Sequence, residues 1–365
     1  MRSDIVRGRY SWALAVPLLA AVGLVATWGR KPGDLVLALV AVLLVGAVLA
    51  AVHHAEVVAH RVGEPYGSLV LAVAVTIIEV GLIVTLMVTT DKDTAGLARD
   101  TVFAAVMITL NGIVGISLLV GALKHHLAVF NPEGTGAALA TVIALAVLCL
   151  VVPSVTTSQP GPEFTGAQLA FAAIASLALY GLFVIVQTVR HRDYFVPSGP
   201  DAPPDHDAHA EPPSRRHALA RLLFLVVALI AVVGLAKIES PAIEDAVGAI
   251  GAPPSAVGVV IALLVLAPET LAAVRNARRD RVQISLNLAF GSAMASIGLT
   301  IPAIAVASIW LEGPLELGLG ATQIVLLAIT VVVGALAVLP GRATVQEGGV
   351  HLALLAAFLF LAINP

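Results

Sequence analysis

Two glutamates, Glu79 and Glu269, lie inside long apolar stretches where acidic side chains are otherwise rare. An ionised side chain at the centre of a bilayer costs about 2.5–3.5 kcal/mol on insertion scales, so such residues usually face a cavity, form a pair or carry function. A carboxylate can bind either a cation or a proton. The pair therefore predicts a cation and proton site in a membrane; the structural alternative is a protonated carboxyl group hydrogen-bonded between helices.

The sequences around the two glutamates are similar. AVTIIEVGLIV, residues 74–84, aligns with LVLAPETLAAV, residues 264–274, and this alignment places Glu79 opposite Glu269. Pro268 has no amide proton, so it predicts a break or kink beside Glu269 that would free backbone oxygens. Carboxylate, hydroxyl and carbonyl oxygens are the ligands that a hard cation prefers.

Other polar side chains occur near each glutamate or in the span that follows it. They serve helix packing in many membrane proteins, and packing is the alternative role for each of them. Glu56, in the histidine-rich stretch 53–60, is a candidate for a proton route, and the spacing of that stretch does not match the metalloprotease zinc motif. The candidate oxygen ligands are Thr76, Thr270, Asn111, Asn287, Ser292 and Ser296.

The composition of the chain predicts a membrane protein. Of 365 residues, 59% are hydrophobic and 12% are charged, whereas soluble domains carry about 25% charged residues. A membrane-spanning helix needs about 20 mostly apolar residues. The sequence therefore predicts an all-α membrane protein with eleven transmembrane helices, at approximately 11–28, 34–59, 65–90, 101–123, 136–157, 167–189, 218–238, 255–274, 283–310, 318–339 and 349–363.

The basic residues indicate how these spans are oriented. With the N-terminus in the cytoplasm, fifteen of the twenty lysine and arginine residues fall on the inner side and five on the outer side, as the positive-inside rule requires. The C-terminus is then outside. The third and eighth spans, which carry Glu79 and Glu269, cross in opposite directions, as inverted-topology repeats require.

This order predicts four parts of the chain. Residues 1–33 hold an extra N-terminal transmembrane helix, 34–190 the first five-helix repeat and 217–365 the second. Between the repeats, residues 191–216 form a cytoplasmic linker rich in proline, aspartate and histidine. Its composition does not support a packed core.

Several function classes do not fit the sequence. A net charge of −3 without a basic, aromatic surface argues against nucleic-acid binding. We find no nucleophile with its base and no phosphate-binding cluster, so neither an enzyme nor a cofactor is expected. A cation channel could also use two glutamates, but one carboxylate in each inverted half favours a carrier. Oligomeric state is left open.

Three stretches resemble a known family. They are HHAEVVAHRVGEP at 53–65, GEPYGSLVLAVAVTIIEV at 63–80 and LAPETLAAVRNARRDRVQISLNLAFGSAMASIGLTIPA at 266–303. Together they are similar to the signature regions of bacterial calcium/proton antiporters in the cation/calcium exchanger superfamily. The resemblance extends over essentially the whole chain in the number and order of spans. Plant and fungal members differ, because their signatures place Gly-Asn before the glutamate.

The resemblance implies ten core helices in two inverted repeats, with Glu79 and Glu269 binding calcium and protons in turn. It places Asn111 and Ser292 among the auxiliary oxygen ligands, with Asn287 and Ser296 nearby. The expected substrates are calcium and protons, transported across the inner or plasma membrane by alternating access, and membrane lipid is a further expected partner. Sodium or potassium in exchange for protons is the alternative, because oxygen ligands serve those ions too.

Overall fold

The long apolar segments of the sequence form helices in the computed structural model, which describes residues 11–30, 32–63, 66–89, 94–196, 213–311 and 313–365. These residues contain eleven apolar helices, of which ten are long enough to cross a membrane. The predicted fold class is confirmed. The helices are α1 (Ser11–Thr27), α2 (Asp34–Val62), α3 (Tyr66–Thr89), α4 (Leu97–His125), α5 (Pro132–Ser154), α6 (Gly166–Arg190), α7 (Arg215–Ala249), α8 (Ala256–Ala277), α9 (Val282–Ala307), α10 (Ala321–Val338) and α11 (Val345–Ile363).

Capping residues set where several helices begin. At the start of α6 the Thr165 hydroxyl accepts from the Gln168 amide, and the Gln168 side chain accepts from the Thr165 amide. Thr344 and Glu347 form the same reciprocal arrangement at the start of α11. These capping boxes satisfy amide donors that have no partner within a helix.

Four of the helices are irregular. Helices α5 and α6 each contain a π-helical turn near the C-terminal end, at Val147–Val151 and Val186–Arg190. In α4 the turn Ile108–Ile113 is π-helical and fully buried. A π-helical turn inserts an extra residue into the helix, and such turns are frequent at functional sites. Helix α9 consists of Val282–Gly298 and Thr300–Ala307, separated at Leu299. The predicted spans are therefore present, but four of them contain local changes in helical geometry.

Two compact units make up the chain, and the first contains α1, α2, α3 and α7. Within it, α7 packs along α2 and also contacts α1 and α3. The contact between α3 and α7 is close, because a Cβ atom at Gly81 would lie 2.7 Å from Val233 Cγ2. The buried His54 ring lies against Phe224, and its Nε2 is 2.7 Å from the Ala13 carbonyl oxygen.

The second unit contains α4, α5, α6 and α8 to α11. Helix α4 is its most buried span, with 89% of its apolar window inside the protein, and it packs against α8, α9 and α11. Two short strands close one end of the unit. Strand β1 (Ala128–Val129) pairs antiparallel with β2 (Arg342–Ala343), with Ala128 opposite Ala343 and Val129 opposite Arg342.

Each compact unit combines segments from both predicted repeats, so the units do not follow the two halves of the sequence. The domain boundaries at 33, 190 and 216 remain predictions. The beginning of the predicted linker is folded: residues Arg192–Phe195 form a 3₁₀ turn with Phe195 buried. Residues 197–212, the centre of that linker, lie outside the described residues, and α7 begins at Arg215.

We predict that the two adjacent glycines of α11 tolerate alanine very differently. A Cβ atom at Gly348 would lie 2.6 Å from the Leu119 amide nitrogen and 2.9 Å from the Gly115 carbonyl oxygen, whereas one at Gly349 would meet nothing within 4 Å. Backbone atoms cannot move aside cheaply, and overpacking typically costs about 1–3 kcal/mol. Gly348→Ala should therefore lower the midpoint of thermal unfolding in detergent.

Gly349→Ala is the matched control, since it makes the same change one residue away in the same helix. It should leave the midpoint unchanged or raise it, because alanine favours a helix by about 1 kcal/mol over glycine. Equal midpoints for the two variants would contradict the close approach of α4 and α11.

Candidate functional site

Glu79 lies in the first unit, on α3, with 2% of its surface exposed. Its Oε1 is inaccessible to solvent, and its helix neighbours Ile78 and Ile83 are fully buried. Thr76, one turn earlier, is also buried, and its hydroxyl makes no hydrogen bond within the described residues. A carboxylate in such apolar surroundings requires a neutralising proton, cation or polar group.

Glu269 lies in the second unit, on α8, with 7% of its surface exposed. The flanking residues Leu266 and Ala273 are buried, and the Thr270 hydroxyl donates to the Leu266 carbonyl oxygen at 2.8 Å. This hydroxyl is therefore engaged with its own helix. Glu269 and Glu79 therefore have similar environments: each is a buried carboxylate among apolar residues of a helix.

The break predicted at Pro268 is not present. Helix α8 is continuous from Ala256 to Ala277, with Pro268 inside it. A proline removes only one amide donor, here the one that would serve the carbonyl of Leu264 four residues earlier. Neighbouring helices can hold such a helix together. The carbonyl freed by Pro268 thus lies one turn before Glu269 without any unwinding of the helix.

Asn111 occupies the π-helical turn of α4 and is fully buried. Its Oδ1 is 3.2 Å from His351 Nδ1, and its Nδ2 donates to the Thr330 hydroxyl at 3.0 Å. These contacts join α4 to α10 and α11. Helix α8 crosses α4 closely as well, because a Cβ atom at Gly258 would lie 2.8 Å from the Thr101 amide nitrogen.

Asn287, on α9, links that helix to the turn at the start of the predicted linker. Its Nδ2 donates to the Phe195 carbonyl oxygen at 2.5 Å, and its Oδ1 accepts from Gln283 Nε2 at 2.8 Å. The Gln283 side chain also accepts from the Asn131 amide at 2.6 Å. Both ends of the Asn287 amide are therefore hydrogen-bonded. The sequence did not indicate either partner, Phe195 or Gln283.

The remaining candidates differ in burial. Ser296 is buried on α9, and Ser292, one turn earlier, is half-buried. The Glu56 side chain on α2 is 53% exposed, with His53 Nδ1 3.9 Å from its Oε2. A proton route through Glu56 would thus begin at the surface of the first unit and remains a prediction. Ser292 and Ser296 lie on a helix that packs against both α8 and the π-helical turn.

Three buried polar residues of the second unit were not predicted from the sequence. His351 and Thr330 are each 1% exposed, and Gln283 is equally buried. Each is a polar residue within a predicted apolar span, and this feature could have identified it. No spacing rule, however, connected these residues to Asn111 or Asn287. Among the described residues, no three His, Cys, Asp or Glu side chains group closely enough to hold a metal ion.

Many apolar helices that carry buried carboxylates are typical of ion-transporting membrane proteins, and comparison with known sequences assigns the chain to a family of this class. The chain belongs to the sodium/calcium exchanger protein family, whose model matches residues 34–189 and 221–364. It is therefore a multi-pass membrane protein of a transporter family. The predicted membership of the cation/calcium exchangers is confirmed.

Two relatives match nearly the whole chain. One is y4hA of Sinorhizobium fredii, named as an ionic transporter, which is 44% identical over 97% of this chain and 96% of its own length. The other is the sodium-potassium/proton antiporter ChaA of Escherichia coli, 36% identical over 95% of this chain and 94% of its own length.

A solved structure shares the fold. YfkE superimposes with a TM-score of 0.72 at 18% identity, covering 98% of this chain and 99% of its own. The selenium-substituted form of YfkE is described as a Ca²⁺/H⁺ antiporter protein. At this level of identity the likeness establishes the fold, and the cation is a separate question.

We predict that Asn287→Asp releases the turn at Arg192–Phe195. Aspartate has the same shape but no amide hydrogen, so the bond to the Phe195 carbonyl becomes a contact between two acceptors. Losing one partner of a buried hydrogen bond costs about 1–3 kcal/mol, and local opening should rise about tenfold. Hydrogen–deuterium exchange of the peptide covering residues 190–196 measures this opening.

Asn276→Asp is the matched control for this change. The Asn276 side chain donates to the Ala272 carbonyl oxygen at 3.1 Å within α8, so the same substitution there should leave exchange of the 190–196 peptide unchanged. Equal exchange in the wild type and Asn287→Asp would show that this contact does not hold the turn.

Proposed function

We propose that this chain is a secondary transporter that exchanges a cation for protons across the inner or plasma membrane of a cell, with its N-terminus in the cytoplasm and its C-terminus outside. Glu79 and Glu269 bind the cation or protons in turn. The observation that carries the proposal is the burial of these two carboxylates, at 2% and 7% exposure, in apolar helices of a chain from an exchanger family.

The exchange follows from the chemistry of a buried carboxylate. Each carboxylate is neutral when protonated and is compensated when a cation is bound, whereas an ionised and unoccupied carboxylate bears the full cost of burial. The loaded forms can therefore change conformation more easily than the empty ionised form. Because a proton and a cation compete for the same oxygens, binding one releases the other.

Alternating access would come from the two predicted inverted repeats, in which one half of the protein moves against the other around the binding residues. Asn111, Ser292 and Ser296 are proposed to supply further oxygens, and Thr76 lies one turn from Glu79. The carbonyl of Leu264, which Pro268 leaves without its amide donor, is another available oxygen on the helix of Glu269. Each of these groups is neutral, so the charge balance rests on the glutamates.

Calcium is the first cation that this arrangement favours. Two carboxylates match the charge of one divalent ion, and two protons can replace it without a change in net charge. Oxygen ligands from carboxylate, amide and carbonyl groups are those that calcium prefers. Calcium exchanged for two protons is therefore the cycle that we propose if both glutamates titrate fully.

Sodium or potassium is the second candidate, and a specific observation favours it. ChaA, which is 36% identical over nearly the whole chain, is named as a sodium-potassium/proton antiporter. The likeness to YfkE is 18% in sequence and therefore shows the fold alone. A monovalent ion would leave one of the two carboxylates to be neutralised by a proton.

Proteoliposomes with an acidic lumen test the proposal directly. Collapse of the pH gradient is measured after addition of calcium, sodium or potassium to wild type, Glu79→Gln and Glu269→Gln. Glutamine keeps the shape but can neither ionise nor carry the proton, and loss of a buried charged partner typically costs about 2–5 kcal/mol. Both variants should therefore exchange at least about tenfold more slowly than the wild type.

Glu133→Gln is the matched control, because Glu133 is an exposed residue in the first turn of α5 and the chemical change is identical. It should exchange at the wild-type rate. Collapse by calcium alone supports calcium/proton exchange, and collapse by sodium or potassium alone moves the assignment to the monovalent ions. Undiminished exchange in both Gln variants would remove Glu79 and Glu269 from the site.

A further inference from the structure

A buried chain of hydrogen bonds connects three helices of the second unit. His351 on α11, Asn111 on α4 and Thr330 on α10 are each 0–1% exposed. The bonds run from His351 Nδ1 to Asn111 Oδ1 at 3.2 Å and from Asn111 Nδ2 to the Thr330 hydroxyl at 3.0 Å. The Thr330 hydroxyl then points to Met107 Sδ at 3.8 Å.

One arrangement of hydrogens satisfies all of these contacts. If the Thr330 hydroxyl donates to the Met107 sulfur, it can only accept from Asn111, which must then present its NH₂ group to Thr330. Asn111 Oδ1 consequently faces His351, whose Nδ1 must carry the hydrogen. The amide orientation and the histidine tautomer are thus fixed together by this network.

Glycines on α4 and α11 allow the two helices to approach closely, and this brings His351 near Asn111. A Cβ atom at Gly115 would lie 2.9 Å from His351 Cβ, and one at Gly348 would overlap the backbone at Leu119. Small residues of this kind allow membrane helices to approach closely. The π-helical turn containing Asn111 shifts the side-chain register of α4 at the same level.

The apolar surroundings of this network strengthen its hydrogen bonds. A cavity of about 10 Å³ lies beside His351 and Thr330, and its other lining residues are apolar, including Leu110, Leu286 and Phe290. Within the described residues, no Asp, Glu, Lys or Arg side chain lines it. In a medium of low polarity a hydrogen bond is stronger than in water, and an unpaired polar group is more costly.

We propose that His351, together with Thr330, is a positioning residue that fixes the amide of Asn111 for cation binding. This inference rests on the proposed function, in which Asn111 supplies an oxygen to the cation. The Nδ1–H group of His351 occupies one lone pair of Asn111 Oδ1 and leaves the second lone pair available. A ligand oxygen held in place before the ion arrives raises affinity, because less ordering accompanies binding.

The role predicts a particular kinetic change. Without its donor, Asn111 can rotate and the cation must order it on binding, so KM for the cation should rise while the maximal rate of exchange changes little. A bond worth about 1.4 kcal/mol corresponds to a tenfold change in affinity. His351 does not contact the cation or the protons in this role, so it acts only through Asn111.

Two pairs of variants test the proposal in the same proteoliposome assay, with whichever cation the wild type exchanges. His351→Leu removes the donor, whereas His351→Asn places an amide N–H near the position of Nδ1. Thr330→Val removes the hydroxyl without changing shape, whereas Thr330→Ser keeps it. His351→Leu and Thr330→Val should raise KM about tenfold, and His351→Asn and Thr330→Ser should restore it toward the wild-type value.

A double-mutant cycle shows whether His351 acts through Asn111. Asn111→Ala should raise KM by itself, and His351→Leu should add little on that background, since residues acting through one contact are not additive. A merely structural role would lower the amount of folded protein or the maximal rate, and it would do so with or without Asn111. Size-exclusion profiles of each variant separate these effects, and the Thr330 pair stands if a His351 variant does not fold.

The outcomes distinguish this inference from the proposed function. If the wild type exchanges a cation and both glutamate variants lose that exchange, an unchanged KM in both His351→Leu and Thr330→Val overturns the positioning role alone. Additive effects of His351→Leu and Asn111→Ala also overturn it. If the wild type exchanges none of the three cations for protons, the proposed function fails and the inference falls with it.

Discussion

Charge inside a low-dielectric medium has to be neutralised where it lies, because water is not available to solvate it. This constraint acts on Glu79 and Glu269, since each is buried within an apolar helix. Their helices also contain small or unusual residues nearby: Gly81 packs closely against α7, and Pro268 leaves a carbonyl without its donor. In the function that we propose, a proton and a cation are two ways to satisfy this constraint, and exchange follows because only one of them can do so at a time.

The same requirement applies to neutral polar groups, which must find hydrogen-bond partners when they are buried. Asn111 and Asn287 both use the two ends of their amides in this way. Asn111 bonds to side chains on two other helices, and Asn287 bonds to Gln283 on its own helix and to the turn at the start of the linker. An amide that is bonded at both ends has a defined orientation. This property is as useful for holding an oxygen toward an ion as it is for holding helices together, so structural and functional roles need not exclude each other.

Close packing explains why these networks can form. Helices α4 and α11 approach until a side chain larger than hydrogen at Gly348 would overlap the backbone of Leu119. Membrane helices gain little from a hydrophobic effect between them, so their association depends on such contacts and on interhelical hydrogen bonds. The glycines of α4 and α11 therefore determine which polar side chains can meet, and they place His351 beside the π-helical turn.

The sequence by itself determined the helical membrane fold, the eleven apolar segments and the rarity of Glu79 and Glu269, because apolar length and the cost of burying charge are local properties of a chain. It could not determine that α8 stays continuous through Pro268, since one lost hydrogen bond is offset by the packing of neighbouring helices. Nor could it pair His351 with Asn111, 240 positions apart in the chain. That contact depends on glycines and a π-helical turn that bring two distant helices together, and only the tertiary structure contains this information.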